Sequence, residues 1–414
     1  MKPIAKYSLG MGDRFAHQGR AQLQAVIQAR EIGLSLTPVW NKSNREHSIV
    51  KSEPASVRAE AEAATMALGW TGPYHVDADH INLGNVDRFI EASDFYTIDV
   101  ADYTGRAADE TEIASFIAAN QKYLGILPID GLAVPISIDA ATLERTARKF
   151  LWAMQEAGRI YRHIARLKGS DFITEVSVDE TDEPQTPAEL FLILTMLARE
   201  NVPCQTIAPK FTGRFNKGID YVGDLGRFEK EFDENLCVVR FTISELGLPD
   251  TLKLSVHSGS DKFSLYPIIN RLLKKHDAGV HVKTAGTTWL EEVIGLAESG
   301  GEGLEIAREI YVQAHGRFAE LIKPYATVVD IDPARLPLPE EVKGWNSQHY
   351  CSALRHEPSS SSYNPHFRQL LHVSFKVAAE MGSRYTDALR ANEVIIARNV
   401  TGNLFQRHIL PLFT

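Results

Sequence analysis

The chain has 414 residues, a formal net charge of -9 and a hydrophobic fraction of 44%. This length and apolar content are sufficient for a full buried core, and the negative charge argues against a nucleic-acid-binding protein, which needs a basic surface. No apolar run approaches the roughly 18 residues of a membrane span. The first residues lead into a strand without an apolar signal region, and the three cysteines form no CxxC pair. We therefore expect a cytoplasmic protein with free thiols that does not bind membranes.

Short runs rich in β-branched residues alternate along the chain with segments of helical periodicity. The eight runs are 6–11, 36–40, 74–78, 95–100, 173–178, 205–211, 253–256 and 279–282. Such alternation is typical of parallel strands joined by crossover helices, and eight repeats favour a closed barrel over an open sheet. The sequence therefore predicts an α/β fold, a TIM-like (β/α)8 barrel.

Two regions depart from this alternation of strands and helices. An apolar stripe at spacings of three and four predicts one long inserted helix over residues 143–167. After the eighth run the pattern is mostly helical, with proline-rich loops at 333–339 and 358–362. We assign residues 1–300 to a catalytic barrel and residues 301–414 to a helical appendage packed on it. The pattern does not fix the oligomeric state, and a homo-oligomer stays open.

Polar and ionisable residues follow several of the predicted strands. They are Asp13 and Arg14 after the first, Asp77, Asp79 and His80 at the third, Glu175, Ser177 and Asp179 at the fifth, His257 at the seventh, and His281 and Lys283 at the eighth. Charged groups on buried strands are costly unless they are paired or bind a metal. Because barrel enzymes build their sites at the carboxyl ends of the strands, these residues predict a polar site at one rim. Imidazole and carboxylate ligands suit a divalent cation such as Zn, Mn, Ni or Co.

Several residues are candidates for binding an anionic substrate. Lys283 fits either a Schiff-base nucleophile or an anion-binding cation, and we favour the second. Gly259 and Gly286 lie where strands turn into loops, so neighbouring amides could hold a carboxylate. Arg368 and His372 share one face of a predicted helix. Arg368 fits a substrate carboxylate and a surface or inter-helix pair equally well.

Seven ordered stretches resemble the tagaturonate/fructuronate epimerase family of hexuronate catabolism. They are LGMGDR (9–14), DADH (77–80), EVSVDET (175–181), GIDYVGDL (218–225), HSGSDKFSLYP (257–267), HVKTAGT (281–287) and RQLLHV (368–373). The resemblance implies a metal-dependent isomerase acting on a small sugar acid. It implies that Asp79 is the proton acceptor, Glu175 the proton donor, and His80 and His257 metal ligands. His281 is a further candidate ligand from its place on the eighth run.

The implied reaction inverts a carbon β to the ketone, so simple enolisation cannot achieve it. No strand-linked G-x-G-x-x-G fingerprint indicates a nicotinamide site, and we therefore expect retro-aldol cleavage followed by re-addition. Asp13, Arg14, Lys283, Arg368 and His372 are the expected substrate-binding residues. A related metal-dependent aldolase, a ketose or sugar-acid isomerase and a catalytically inactive sugar-acid-binding protein are the alternatives.

Overall fold

The computed structural model describes residue 2, residues 4–284 and residues 286–414. Its strands are β1 (Tyr7–Gly12), β2 (Thr37–Ser43), β3 (His75–Ile81), β4 (Phe95–Asp99), β5 (Gly125–Ile126), β6 (Ser137–Ile138), β7 (Ile173–Ser177), β8 (Thr206–Ala208), β9 (Lys253–His257) and β10 (Val280–Thr284). Eight of them form a closed barrel in the order β1-β10-β9-β8-β7-β4-β3-β2, with every neighbouring pair parallel. The predicted (β/α)8 barrel is confirmed. β5 and β6 form a separate antiparallel pair.

The helices of the described residues surround the barrel and extend beyond it. They are α1 (Gly19–Glu31), α2 (Asn44–Val50), α3 (Pro54–Ala67), α4 (Glu110–Asn120), α5 (Ala140–Lys168), α6 (Pro187–Arg199), α7 (Leu225–Leu246), α8 (Tyr266–His276), α9 (Thr287–Ser299), α10 (Gly301–Gly316), α11 (Phe318–Ile322), α12 (Pro339–Gly344), α13 (Ser347–Leu354), α14 (Pro365–His372), α15 (Phe375–Glu380), α16 (Ser383–Ala391), α17 (Glu393–Gly402) and α18 (Leu410–Phe413). The long predicted helix is α5, which Asp139 caps by accepting from the amide of Thr142. None of the described helices is long and apolar enough to cross a membrane.

The inside of the barrel changes from apolar to polar along the strands. At the amino-terminal end, Val39, Phe95 and Ile173 pack with Ile4 in a small cluster separate from the main core. One layer above them, Ser8 and His281 are register partners, and Gly10 and Lys283 follow towards the carboxyl ends. Because strand residues alternate between the two faces, the inward positions at that end are the ones that build a site.

The helices that follow the barrel pack against its outer layer. α17 contacts α1 and α9, α13 and α14 contact α9, and α18 contacts α8. The carboxyl-terminal third of the chain therefore covers the side of the barrel formed by β1, β9 and β10. It also brings α14 close to the loops that follow β8, β9 and β10.

Candidate active site

A buried lysine lies at the centre of the polar layer. Lys283 Nζ is 2.7 Å from Asp77 Oδ2, 2.9 Å from Asp79 Oδ1 and 2.9 Å from Glu175 Oε1. The Thr97 hydroxyl contacts the same ammonium and lies 2.9 Å from Asp77 Oδ1. The four ionisable groups come from β3, β7 and β10, whose inward positions the barrel brings to one height.

The charges in this layer decide which groups are ionised. Burial opposes ionisation, but the Lys283 ammonium holds the pKa of Asp79 and Glu175 below their ordinary values. Burial and the two neighbouring carboxylates raise the pKa of Asp77 to about 7, despite Lys283. The three carboxylates outweigh burial and raise the pKa of Lys283 well above its ordinary value. A lysine that stays protonated is a poor nucleophile, so the geometry does not favour a Schiff base.

Two histidines and two aspartates lie above this layer, at the mouth of the barrel. The rings of His80 and His257 are 5.2 Å apart between centroids. His257 Nδ1 lies 3.1 Å from Asp179 Oδ2, and its Nε2 lies 2.7 Å from Glu175 Oε1. His80 Nδ1 lies 3.0 Å from Asp99 Oδ2. One ligand atom from each of His80, Asp179 and His257 falls within 4.8 Å of the others, which is compatible with a shared metal ion.

The backbone of β3 turns at His80 to place its ring in this group. His80 has a φ of 53°, and the pairing of β3 with β4 shifts register between Ala78 and Ile81. A positive φ at a residue other than glycine is strained and is common at functional sites. The surrounding carboxylates overcome burial and raise the pKa of His257 to about 9 and that of His80 well above its ordinary value. The mouth therefore favours positive charge.

His281 lies one layer below the other two histidines. Its Nδ1 is 2.9 Å from the Ser8 hydroxyl, and its ring centroid is 5.2 Å from that of Phe95. It does not belong to the metal-compatible groups of the described residues. Burial lowers its pKa to about 3. The structure therefore places His281 on the inward face of β10, but lower in the barrel than the other two histidines.

The two residues directly after β1 make contacts within the protein. Asp13 accepts hydrogen bonds from the backbone amides of Phe15, Ala16, His17 and Gln18, at 3.0, 2.8, 2.9 and 2.6 Å. Both of its oxygens are used in this turn, so the geometry does not favour the expected contact with substrate. Arg14 forms an ion pair with Glu46 and lies over the ring of Phe375. It is buried beside the mouth.

Arg368, which is expected to bind substrate, makes its contacts within the protein. Its side chain is fully buried, and Nη2 lies 2.7 Å from Asp261 Oδ2. Nε donates to Gly218 O at 2.6 Å, and Nη1 donates to Leu354 O at 2.7 Å. The ion pair therefore joins α14 to the loop that follows β9, and the two hydrogen bonds join it to the loop after β8 and to α13. This geometry favours a structural ion pair over a substrate contact.

Asp179, which the sequence predicts at the rim without a role, and two residues that it does not single out also lie at the mouth. Asp179 completes the metal-compatible group, and its alternation with Glu175 in the sequence was a usable signal. Asn41 is buried on β2 beside Gly10, and neither side-chain polar atom has a hydrogen-bond partner. Lys217 lies in the loop between β8 and α7, beside Gly259. No sequence pattern distinguished Asn41 or Lys217.

Comparisons with known proteins agree with this architecture. The family model described as tagaturonate epimerase (UxaE) matches residues 2–395. A tagaturonate/fructuronate epimerase of Thermotoga maritima is 28% identical over 433 aligned residues, which cover 99% of this chain and 82% of that protein. Crystal structures of the fructuronate-tagaturonate epimerase UxaE from Cohnella laeviribosi are similar at a TM-score of 0.81 and 25% identity. The native form covers 99% of this chain and 82% of that one, and a glycerol complex covers 98% and 81%. The chain is therefore an epimerase-type enzyme and belongs to the tagaturonate epimerase family.

Proposed function

We propose that this enzyme interconverts tagaturonate and fructuronate with the help of a divalent metal ion. The observation that carries the proposal is the arrangement of His80, Asp179 and His257 directly above Asp79, Glu175 and Lys283. Candidate cation ligands and two ionised carboxylates in one barrel mouth support the proposal. Three free, buried cysteines fit the further proposal of a cytoplasmic enzyme.

The three candidate ligands fit a transition-metal ion of intermediate softness. Two imidazoles and one carboxylate with ligand atoms within 4.8 Å suit Zn, Ni, Co or Mn. Asp99 also fixes the orientation of the His80 ring, because it binds Nδ1 and leaves Nε2 for a cation. When bound, the metal would act as a Lewis acid on the ketone and its neighbouring hydroxyl.

The chain's own residues would manage the protons of a retro-aldol reaction. Asp79 accepts the proton of the hydroxyl on the inverted carbon. The bond from that carbon to its neighbour next to the ketone then breaks, and its electrons pass into the ketone fragment. The aldehyde rotates, the bond re-forms on its opposite face, and Glu175 protonates the new alkoxide. Because Glu175 is ionised at rest, it first takes this proton from the Lys283 ammonium, which contacts both carboxylates and regains a proton from Asp79, so the proton balance closes.

Product analysis in deuterated water tests this route. We expect NMR to show fructuronate formed from tagaturonate, with no deuterium at the inverted carbon. Asp79→Asn and Glu175→Gln should each lower kcat at least about 100-fold, while the exposed control Asp387→Asn should leave it unchanged. Deuterium at the inverted carbon would overturn the retro-aldol route. Accumulation of two cleavage fragments without epimer would instead identify an aldolase.

Metal binding has its own test. Elemental analysis of the purified protein should find a transition metal, and Zn²⁺ titration of the chelator-treated protein should show one tight site. His257→Asn should weaken that site at least about 10-fold, whereas the control His349→Asn, a surface histidine stacked on Trp345, should not. Equal Zn²⁺ affinity in wild type and His257→Asn would remove this ligand from the proposal.

A further inference from the structure

Lys217 brings a positive charge to the barrel mouth without a carboxylate beside it. It belongs to the loop between β8 and α7, and its backbone amide donates to Val328 O at 2.8 Å. Among the described residues, no Asp or Glu oxygen lies within 4.0 Å of its Nζ. Nζ lies 3.1 Å from the point where a side chain on Gly259 would begin, so a glycine there leaves room for the ammonium. A half-buried cation with no carboxylate in contact has lost water without gaining an ion pair.

His372 lies beside the loop that follows β10 and also lacks a partner. The residue is 2% exposed, and its Nε2 makes no hydrogen bond. A Cβ added to Gly286 would lie 1.8 Å from this nitrogen, so only glycine fits at that position. Burial, with the nearby Arg14 and Lys217, holds the pKa of His372 well below its ordinary value. The ring is therefore neutral, and with the proton on Nε2 it can donate one hydrogen bond.

The start of α9 adds backbone donors to the same place. Gly286 is the residue before this 13-residue helix, and no side chain caps it. The amide of Gly286 donates to Gly259 O at 2.9 Å, which ties the loop after β9 to the start of the helix. The first amides of a helix and its dipole favour an anion.

These donors open on the mouth that holds the candidate active site. Gly259 lies two residues after His257, the last residue of β9, and Gly286 lies two residues after the end of β10. Lys217 also feels the charge of Glu180, whose carboxylate lies within 4.8 Å of ligand atoms of His80 and Asp99. Lys217, His372 and the first amides of α9 therefore face the same space as the candidate cation ligands, from a different side.

We propose that Lys217, Nε2 of His372 and the first amides of α9 form the pocket that binds the carboxylate of the sugar acid. This inference rests on the proposed function for the identity of the substrate. A carboxylate would accept from all three kinds of donor and would balance the charge of Lys217. A neutral hydroxyl would leave that charge uncompensated. The pocket would therefore select sugar acids over neutral ketoses of the same length.

Binding of two unreactive probes tests the pocket without catalysis. Isothermal titration of the purified protein should show D-galactonate, a sugar acid, binding at least about 10-fold more tightly than the neutral polyol galactitol. Lys217→Met should weaken galactonate binding about 10- to 100-fold and leave galactitol unchanged. Lys217→Arg should keep most of the affinity, and the control Lys230→Met, on the outer face of α7, all of it. Galactonate binding no tighter than galactitol binding, or unchanged in Lys217→Met, would overturn the proposal.

Kinetics separate this inference from the proposed function. In an active enzyme, Lys217→Met should raise KM for tagaturonate about 10-fold or more and change kcat less, because the carboxylate is remote from the inverted carbon. A wild-type protein that prefers galactonate but does not epimerise tagaturonate would retain the pocket and reject the function. An active enzyme whose KM does not change in Lys217→Met would retain the function and reject the pocket.

Discussion

Replacement of Arg368 by methionine tests whether this residue supports the fold or the substrate. The change removes the contact to Asp261 and the hydrogen bonds to Gly218 O and Leu354 O. It leaves the Asp261 carboxylate fully buried, with Thr287 at 3.1 Å, His356 at 3.2 Å and His408 at 3.4 Å as remaining partners. Breaking a buried ion pair from one side costs about 3–5 kcal/mol, and these partners place the expected loss near the lower end.

The loss converts into a measurable shift of the unfolding midpoint. At about 2.1 cal/mol/K per residue, the unfolding entropy of the 414-residue chain is about 0.9 kcal/mol/K. A loss of about 3 kcal/mol therefore lowers Tm by about 3–4 °C if the chain unfolds cooperatively. Circular dichroism melts of wild type and Arg368→Met measure this shift. Arg398→Met, at an arginine side chain that is 66% exposed, should shift Tm by less than about 1 °C.

A double-mutant cycle identifies the cause of the shift. Asp261→Asn in the Arg368→Met background should cost less than the sum of the two single changes, because the unpaired buried charge is then gone. Strict additivity would mean that the ion pair is not the source of the loss. A wild-type melting curve for Arg368→Met, together with a raised KM for tagaturonate, would refute the structural role and restore the substrate-binding expectation.

Three further changes test other parts of the structure. Asp13→Ala should lower stability by about 1–3 kcal/mol because four amides lose their acceptor; an unchanged urea midpoint would contradict this. Gly286→Ala should disturb the local fold and abolish activity, because the new methyl group displaces His372. His372→Ala in the same background removes this clash, so it should restore folding but not sugar-acid affinity. A fully active Gly286→Ala enzyme would show that the loop is not fixed. His75, Arg58 and Lys2 outweigh burial and hold the pKa of Asp94 below its unfolded value of about 3.9. The ionised Asp94 therefore stabilises the fold fully above that pH, and this contribution is lost as the pH falls further. Asp94→Asn should therefore lower the urea midpoint at pH 7 and flatten its fall between about pH 5 and 3; parallel curves for wild type and variant would contradict this.

The sequence determined the barrel and the end of it that carries the site. Each predicted run became a strand of the closed sheet, because alternating strand and helix periodicities leave few other ways to bury every apolar face. Asp79, Glu175 and His257 were recognisable because ionisable residues on buried strands need a reason to be there. Their convergence follows from parallel strands ending at the same rim.

Tertiary structure alone decided the height of each residue in the barrel and the partners of distant side chains. Strand alternation gives the face of His281, but its level depends on the stagger between β1 and β10, which pairs it with Ser8 below the mouth. Arg368 meets Asp261 across 107 residues of sequence, and Lys217 reaches Gly259 from a separate loop. Local periodicity carries no information about such encounters, because the packing of loops and helices after the barrel has closed brings these groups together.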